Sequence, residues 1–224
     1  MLRMPDASAI MALADSGAVS PTRRDDALLA SFDSGLSADD AVALTVQARE
    51  SRLLDILENC FGSELEASAA CPVCGAALDV PLRTGSLRQP PIGDGDAGFP
   101  RSPTGADLRV IEDCHDLEQA RALLLARCGI NPAEETAAIA ALAMENAQAD
   151  VHLALRCAVC GHQWEAQFEA GVFVWKRVER LAADLIRQVH ALARAYHWTE
   201  EAILAMPERR RARYLSTLAA EQNG

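Results

Sequence analysis

The chain carries two short cysteine motifs of the same form at distant positions. CPVCG occupies residues 71–75 and CAVCG occupies residues 157–161, so two residues separate the cysteines in each motif and a glycine follows. This spacing is typical of a tight turn, here called a knuckle, in which backbone N–H groups point at the sulfurs and the glycine adopts a left-handed conformation. Two knuckles supply four thiolates, which complete a tetrahedral Zn²⁺ site without an open position for water. The sequence therefore predicts one structural zinc site with the ligands Cys71, Cys74, Cys157 and Cys160.

Segments in which polar and apolar residues alternate follow both motifs. Residues 77–82 (ALDVPL) and 163–168 (QWEAQF) have the period of strands with one buried face, and residues 151–155 (VHLAL) predict a strand that leads into the second motif. Two units of knuckle and strand that close on one metal ion form a zinc ribbon. We interpret the chain between them as an insertion that lies on this ribbon.

Other readings of the cysteines stay open. A thioredoxin-like redox pair would place Cys71 at the start of a helix, whereas the residues after Cys74 are strand-like. Disulfides would suit a secreted protein, but seven cysteines is an odd number and the N-terminus lacks the pattern of a signal peptide. A site that has lost its metal but kept its sequence is a further alternative. His162 could replace one sulfur as a ligand, although four cysteines already suffice.

The remaining cysteines predict no second site. Cys60, Cys114 and Cys128 are single residues on predicted helices, and a lone cysteine usually behaves as a small buried hydrophobe. His115 lies beside Cys114, but its spacing to Cys128 is typical of no common metal motif.

Composition and charge favour a helical protein that binds other proteins. Alanine and leucine are abundant, aromatic residues make up 4%, and the formal net charge is −11, which argues against a general binder of nucleic acid or anionic membranes. The longest apolar run, residues 137–144, is shorter than the roughly 20 residues of a membrane span. The chain is therefore expected in a reducing cytoplasm. It lacks an HExxH motif, a phosphate-binding glycine loop and a nucleophile elbow, so an enzyme is not expected.

Capping patterns predict helices on both sides of the ribbon. Helix starts are expected at Asp6, with an end near Gly17, and at Ser20 before Pro21, with an end at Gly35. A long or broken helix is expected from Ser37 to Gly62, with a bend around residues 47–50. Residues 83–104 are rich in glycine and proline and predict a surface connector or a partner-binding arm.

Further starts follow at Thr104, at Asp116 and at Asn131 before Pro132, the last with a helix to about Ala147. The strongest helical pattern runs from Gly171 to about His197, and two shorter helices are expected from Thr199 and over residues 208–220. This helix-turn-helix-like tail carries Arg209, Arg210, Arg211 and Arg213.

The predicted fold class is mainly α with a small β zinc ribbon. The ribbon is split into two knuckles, carries a helical insertion and is flanked by helical N- and C-terminal regions. The expected regions are 1–66 (N-terminal helical region), 67–84 (first half of the ribbon), 85–150 (Pro/Gly-rich loop and helical insertion), 151–170 (second half of the ribbon) and 171–224 (long C-terminal helix and helical tail).

The order of these motifs resembles a known family, the T4-family baseplate hub assembly chaperones, also described as T4-type baseplate proteins, of contractile phages and extracellular contractile injection systems. The resemblance covers nearly the whole chain. It rests on FG at 61–62, CPxCG at 71–75, the Pro/Gly-rich stretch, PTGADL at 103–108, QADV at 148–151, CxxCGH at 157–162, Trp164, FVW at 173–175, VHALA at 189–193, YHWTEEAIL at 196–204, RRR at 209–211 and YL at 214–215.

The resemblance implies that the protein helps to assemble a baseplate or its central hub by binding other proteins. It would act in the cytoplasm of a bacterial cell or a phage-infected host, and whether it stays in the finished particle is left open. The expected partners are baseplate or hub proteins of a contractile tail. A different class of function also stays open, a zinc-ribbon regulator that binds nucleic acid through the arginine-rich tail.

Overall fold

We describe the protein from a computed structural model, which covers residues 1–16, 20–89, 100–131 and 133–222. The chain is mainly helical, with two small two-stranded sheets and a cluster of four cysteines. It divides into two compact units. The first consists of Met1–Arg3 and Val19–Val174, and the second of Met4–Ala18 and Trp175–Gly224.

The elements, in chain order, are α1 (Ala7–Asp15), α2 (Pro21–Phe32), α3 (Ala38–Ala43), α4 (Val46–Ile56), a π-helical turn (Leu57–Phe61), β1 (Glu64–Ala70), β2 (Ala77–Arg83), a 3-10 turn (Thr84–Leu87), α5 (Gly105–Ile111), α6 (Leu117–Arg127), α7 (Glu135–Glu145), a 3-10 turn (Ala147–Ala149), β3 (Val151–Arg156), β4 (Gln163–Phe168), α8 (Ala170–Tyr196), α9 (Glu200–Leu204) and α10 (Glu208–Gln222).

Most predicted helix starts are confirmed by their caps. The side chains of Asp6, Ser20, Asp116 and Thr199 each accept a hydrogen bond from a backbone N–H in the first turn of the following helix. At Ser37 the predicted capping box is complete. Such bonds satisfy N–H groups that have no partner inside the helix, which is why the sequence alone locates these starts.

The predicted bend around residues 47–50 is wrong, because the break lies earlier. Helix α3 ends at Ala43, and Thr45 begins α4 by accepting a hydrogen bond of 3.2 Å from the N–H of Ala48. Residues 47–50 are regular helix. The end at Gly62 is confirmed, and its φ of 97° belongs to the left-handed region that favours glycine.

Two other predicted helix boundaries differ from the structure, and further predicted features lie outside the described residues. Helix α2 ends at Phe32, before Gly35, because Asp33 is extended and accepts hydrogen bonds from the N-terminal amine and from the N–H of Gly35. Helix α7 begins at Glu135, later than the predicted start at residues 131–132. Gly17, Pro132 and residues 90–99 of the Pro/Gly-rich stretch lie outside the described residues.

The core of the first unit is formed largely by α2 and α4. Its fully buried side chains are apolar and recur at helical spacing, so their burial supplies the main driving force for packing. They include Leu28, Leu29, Phe32, Leu53, Leu54, Ile56 and Leu57.

Two buried aspartates anchor arginines from distant parts of the first unit. Asp26 pairs with Arg49 and accepts a hydrogen bond of 2.8 Å from Nε of Arg109. Asp107 is fully buried and pairs with Arg101 and Arg127, each at 2.6 Å. The hydrogen bonds from Arg101 are the largest of the interactions that hold the pKa of the Asp107 carboxyl far below its usual range. These contacts tie α2, α4, α5 and α6 together through charge.

Each cysteine motif is the turn of its own antiparallel hairpin. Strand β1 pairs with β2 up to Ala70 opposite Ala77, and β3 pairs with β4 up to Arg156 opposite Gln163. Strands β2, β3 and β4 confirm the predicted strands. Strand β1 was not predicted, since its sequence ELEASAA contains three alanines and has a weak strand preference. It begins at Glu64, within the region expected to be helical.

The second unit contains α1, most of α8, α9 and α10. The predicted apolar stripe of α8 is confirmed by the burial of Val178, Leu185 and Leu192. Where α8 ends, Tyr196 stacks on Trp198 with ring centroids 4.6 Å apart. Among the described residues, no helix combines the length and the apolar character that crossing a bilayer requires.

Two carboxyls in the first unit have raised pKa values. Burial is the main cause for Asp25, whose pKa rises to about 6 although Arg24 and Arg49 oppose the shift. Burial and the neighbouring Asp25 raise the pKa of Glu50 to about 7, against the N–H of Ala170, which donates to its Oε2 at 3.2 Å. Asp26 and Glu169 add negative charge near this pair. Folding therefore favours the protonated forms.

We expect this pair to destabilise the fold as pH rises from about 4 to 7. In this window the unfolded chain loses the two protons before the folded chain does, so the free energy of unfolding falls. Because both carboxyls keep some contact with solvent, each should contribute roughly 2 kcal/mol. Urea denaturation at each pH in this range measures the free energy of unfolding, which should fall less steeply with pH for Asp25→Asn/Glu50→Gln than for the wild type. Parallel pH dependences for the two proteins would contradict the prediction. Subtracting one pH dependence from the other removes the contribution of groups that titrate in both proteins.

Candidate metal centre

The two knuckles have the same backbone geometry. In the first, the N–H of Cys71 donates to the carbonyl of Ala76 at 2.9 Å, and the N–H of Gly75 donates to the carbonyl of Cys71 at 2.9 Å. Residues 157–162 repeat both bonds, at 2.8 and 3.0 Å. The glycines after the second cysteines, Gly75 and Gly161, have φ of 71° and 74°. Glycine adopts this conformation without the steric cost that a side chain would bring, so the motif glycine allows the turn to close.

The four sulfurs converge as predicted from the motifs. All four atoms lie within 4.8 Å of one another, although the two motifs are far apart in the sequence. Two sulfur contacts join the knuckles, Cys71 with Cys160 at 3.7 Å and Cys74 with Cys157 at 3.6 Å. A tetrahedral ion with Zn–S bonds of about 2.3 Å separates its sulfurs by about 3.8 Å. The cluster therefore fits a four-coordinate thiolate site, whereas a disulfide would require about 2.05 Å between sulfurs.

Burial divides the four cysteines by their position in the knuckle. The first cysteine of each motif is buried, with Cys71 2% and Cys157 1% exposed, whereas Cys74 and Cys160 are exposed. One side of the cluster therefore faces the protein and the other faces solvent. This division gives the sulfurs of one knuckle different access to dissolved reagents.

The cluster moves the pKa values of the Cys157 and Cys74 thiols in opposite directions. The N–H of Cys160 and then that of Val159, 3.4 Å from the sulfur, lower the pKa of Cys157 to about 6. The N–H of Ala76 lowers the pKa of Cys74, but the three other sulfurs together raise it to about 12. Four thiolates at this spacing repel one another, so only a cation can hold all four ionised. Metal binding must then release protons.

The other candidate residues lie outside this cluster. The ring of His162 stacks on that of Trp164 with ring centroids 6.0 Å apart. The backbone carbonyl of His162 accepts a hydrogen bond from the N–H of Cys157. Cys128 is buried, whereas Cys60 and Cys114 are half-buried. Across the described ranges, no second group of three or more potential metal ligands converges. The prediction that backbone N–H groups point at the sulfurs agrees with the donors found here, Ala76 for Cys74 and Val159 and Cys160 for Cys157.

Burial separates one of the four tail arginines from the other three. Arg209, Arg210 and Arg213 are exposed, but Arg211 is buried. Its guanidinium donates to Oε1 of Gln188 at 2.6 Å and to the carbonyl of Met206 at 3.1 Å. One of the four arginines therefore braces helices of the second unit instead of facing a ligand.

Comparison with protein-family models, with curated proteins and with solved structures finds no match in any of the three. What the chain can do therefore has to be inferred from its own residues. The four-cysteine cluster is the feature with the most specific chemistry, because its ligand type, number and spacing all agree with one kind of metal site.

Proposed function

We propose that this chain is a non-enzymatic assembly factor for the baseplate or central hub of a contractile phage tail or contractile injection system, and that it binds proteins on a structural-zinc scaffold. The convergence of four cysteine sulfurs from two distant motifs is the observation that carries the scaffold. Four protein ligands leave no position at which zinc could activate water, so the site suits a structural role.

In this proposal the two hairpins are the halves of a split zinc ribbon. Cys71 and Cys74 would hold the ion from one hairpin, and Cys157 and Cys160 from the other. When bound, zinc would supply a link between segments that small two-stranded sheets cannot make by themselves, since an isolated hairpin is marginally stable in water. The ribbon would thereby fix the relative position of the elements on either side of it.

The sequence resemblance supports the choice of a contractile tail as the target. Its motifs extend from the helical N-terminal region through both knuckles to the tail after residue 196. The negative net charge is compatible with protein partners and unfavourable for phosphate backbones. An open groove within the second unit offers apolar walls that suit an apolar segment of a hub or baseplate protein, and these walls include Met4, Ile10, Leu181, Leu185 and Met206.

The test is native mass spectrometry of the tagged chain, purified after co-expression with the tail proteins of its own host or phage. We expect a complex that contains the chain, one zinc ion and a baseplate or hub protein. The matched control is Arg209→Glu/Arg210→Glu/Arg213→Glu, which changes exposed arginines and should keep both zinc and the tail protein.

Three results would count against the proposal. A chain that carries zinc but no tail protein would remove the assembly role. A chain that carries nucleic acid, loses it at moderate salt and loses it in the arginine variant would favour the regulator instead. A chain without metal would remove the zinc scaffold.

A further inference from the structure

We propose that a peroxide converts the metal centre into two disulfides that join the two knuckles, Cys71 to Cys160 and Cys74 to Cys157, with release of the metal ion. The inference rests on the zinc scaffold of the proposed function. It adds a covalent state in which the hairpins remain linked after the metal has left. The site would then be a point of oxidative modification as well as a structural link.

The geometry points to pairing between the knuckles. Two sulfur contacts, at 3.7 and 3.6 Å, each take one cysteine from each hairpin. Forming S–S bonds of about 2.05 Å between the knuckles requires the sulfurs of each close pair to approach by less than 2 Å.

The two cysteines of each pair between the knuckles differ in solvent exposure, so they would take different roles in the oxidation. Cys160 and Cys74 are exposed, so a peroxide can reach their sulfurs. The cysteines that contact them across the knuckles, Cys71 and Cys157 respectively, are buried and shielded from the same reagent. Each pair therefore combines one sulfur that can be oxidised first with one that can resolve the product.

The reaction balances with a peroxide as the oxidant. The Cys160 thiolate attacks one peroxide oxygen, the O–O bond breaks, and the departing oxyanion takes a proton from water, which leaves a sulfenic acid on Cys160. The Cys71 thiolate then attacks this sulfur, the S–O bond breaks, and hydroxide leaves and is protonated to water. The two sulfurs lose two electrons and the peroxide gains two. A second peroxide oxidises Cys74 and Cys157 in the same way, and an ion without thiolate ligands dissociates.

The test uses the variant Cys60→Ala/Cys114→Ala/Cys128→Ala, which keeps all four ligands and removes every other thiol. Its zinc content is measured first. Hydrogen peroxide is then added, released zinc is followed with a chromogenic chelator, and disulfides are mapped by peptide mass spectrometry with fragmentation between the two cysteines of each motif. We expect release of the bound zinc, consumption of two peroxide equivalents per zinc, and the two disulfides between the knuckles. Dithiothreitol with added zinc should restore the starting state.

Disulfides within the knuckles, the opposite pairing of Cys71 with Cys157, zinc release without disulfides, or retention of zinc under excess peroxide would each overturn the inference. A preparation that holds no zinc at the outset would instead contradict the proposed function. The same mapping on that metal-free chain still decides the pairing. As a second readout, a chelator should leave the thermal unfolding midpoint of the oxidised protein unchanged, whereas it should lower the midpoint of the reduced protein.

Discussion

Replacing Cys71 or Cys157 with serine is expected to unfold the two hairpins and to abolish zinc binding. Both sulfurs are buried in the cluster, and a serine hydroxyl is a poor ligand for zinc at neutral pH. Structural zinc sites contribute roughly 10 kcal/mol of folding free energy, comparable to the whole stability of a domain. Losing a large part of this free energy should therefore move the denaturation midpoint of the first unit to a much lower urea concentration. Urea denaturation together with elemental analysis of bound zinc measures both effects.

The matched control is Cys114→Ser, which makes the same chemical change at a half-buried cysteine outside the cluster. We expect it to cost less than about 1 kcal/mol and to retain zinc. A chelator added to the wild type should reproduce the behaviour of Cys71→Ser. If Cys71→Ser and Cys157→Ser melt like the wild type, the structural role of the metal is wrong.

Replacing Asp26 with alanine is expected to destabilise the first unit by about 3 to 5 kcal/mol, since it leaves a buried charge without its partner. The Arg49 side chain is 4% exposed, pairs with Asp26, and also donates to the carbonyl of Ala41 at 2.9 Å. Arg109 reaches the second oxygen of the same carboxylate at 2.6 Å. The surroundings are tight as well, because a Cβ on Gly105 would lie 2.9 Å from the carbonyl of Val42. Urea denaturation gives the change in the free energy of unfolding.

The control for Asp26→Ala is Asp55→Ala. Asp55 pairs with Arg88 at 2.8 Å, but the two side chains are 36% and 40% exposed, so solvent screens them and the loss should be at most about 1 kcal/mol. Adding Arg49→Met to Asp26→Ala should recover much of the stability, because it removes the charge that has lost its partner. Equal, small losses for both aspartates would show that water compensates Arg49 and would contradict the prediction.

The features predicted from the sequence are those that neighbouring residues determine. A helix start needs one oxygen within three residues of a free N–H, as at Asp6 and Ser37. A knuckle needs two cysteines and a glycine within five residues. Strand β1 was missed because its alanine-rich sequence has a weak strand preference. The break before α4 was missed although Thr45 caps that helix in the same way as the predicted starts.

The amino-acid sequence by itself determined the two knuckles, most of the helix starts and the number of thiolates that could hold a metal, because these depend on interactions between residues close together in the chain. Only the tertiary structure decided that Cys71 contacts Cys160 across the knuckles, that burial separates the first cysteine of each motif from the second, and that Asp26 meets arginines 23 and 83 residues away. Such contacts follow from how the elements pack, because the residues around a single charged side chain do not indicate which distant residue will contact it.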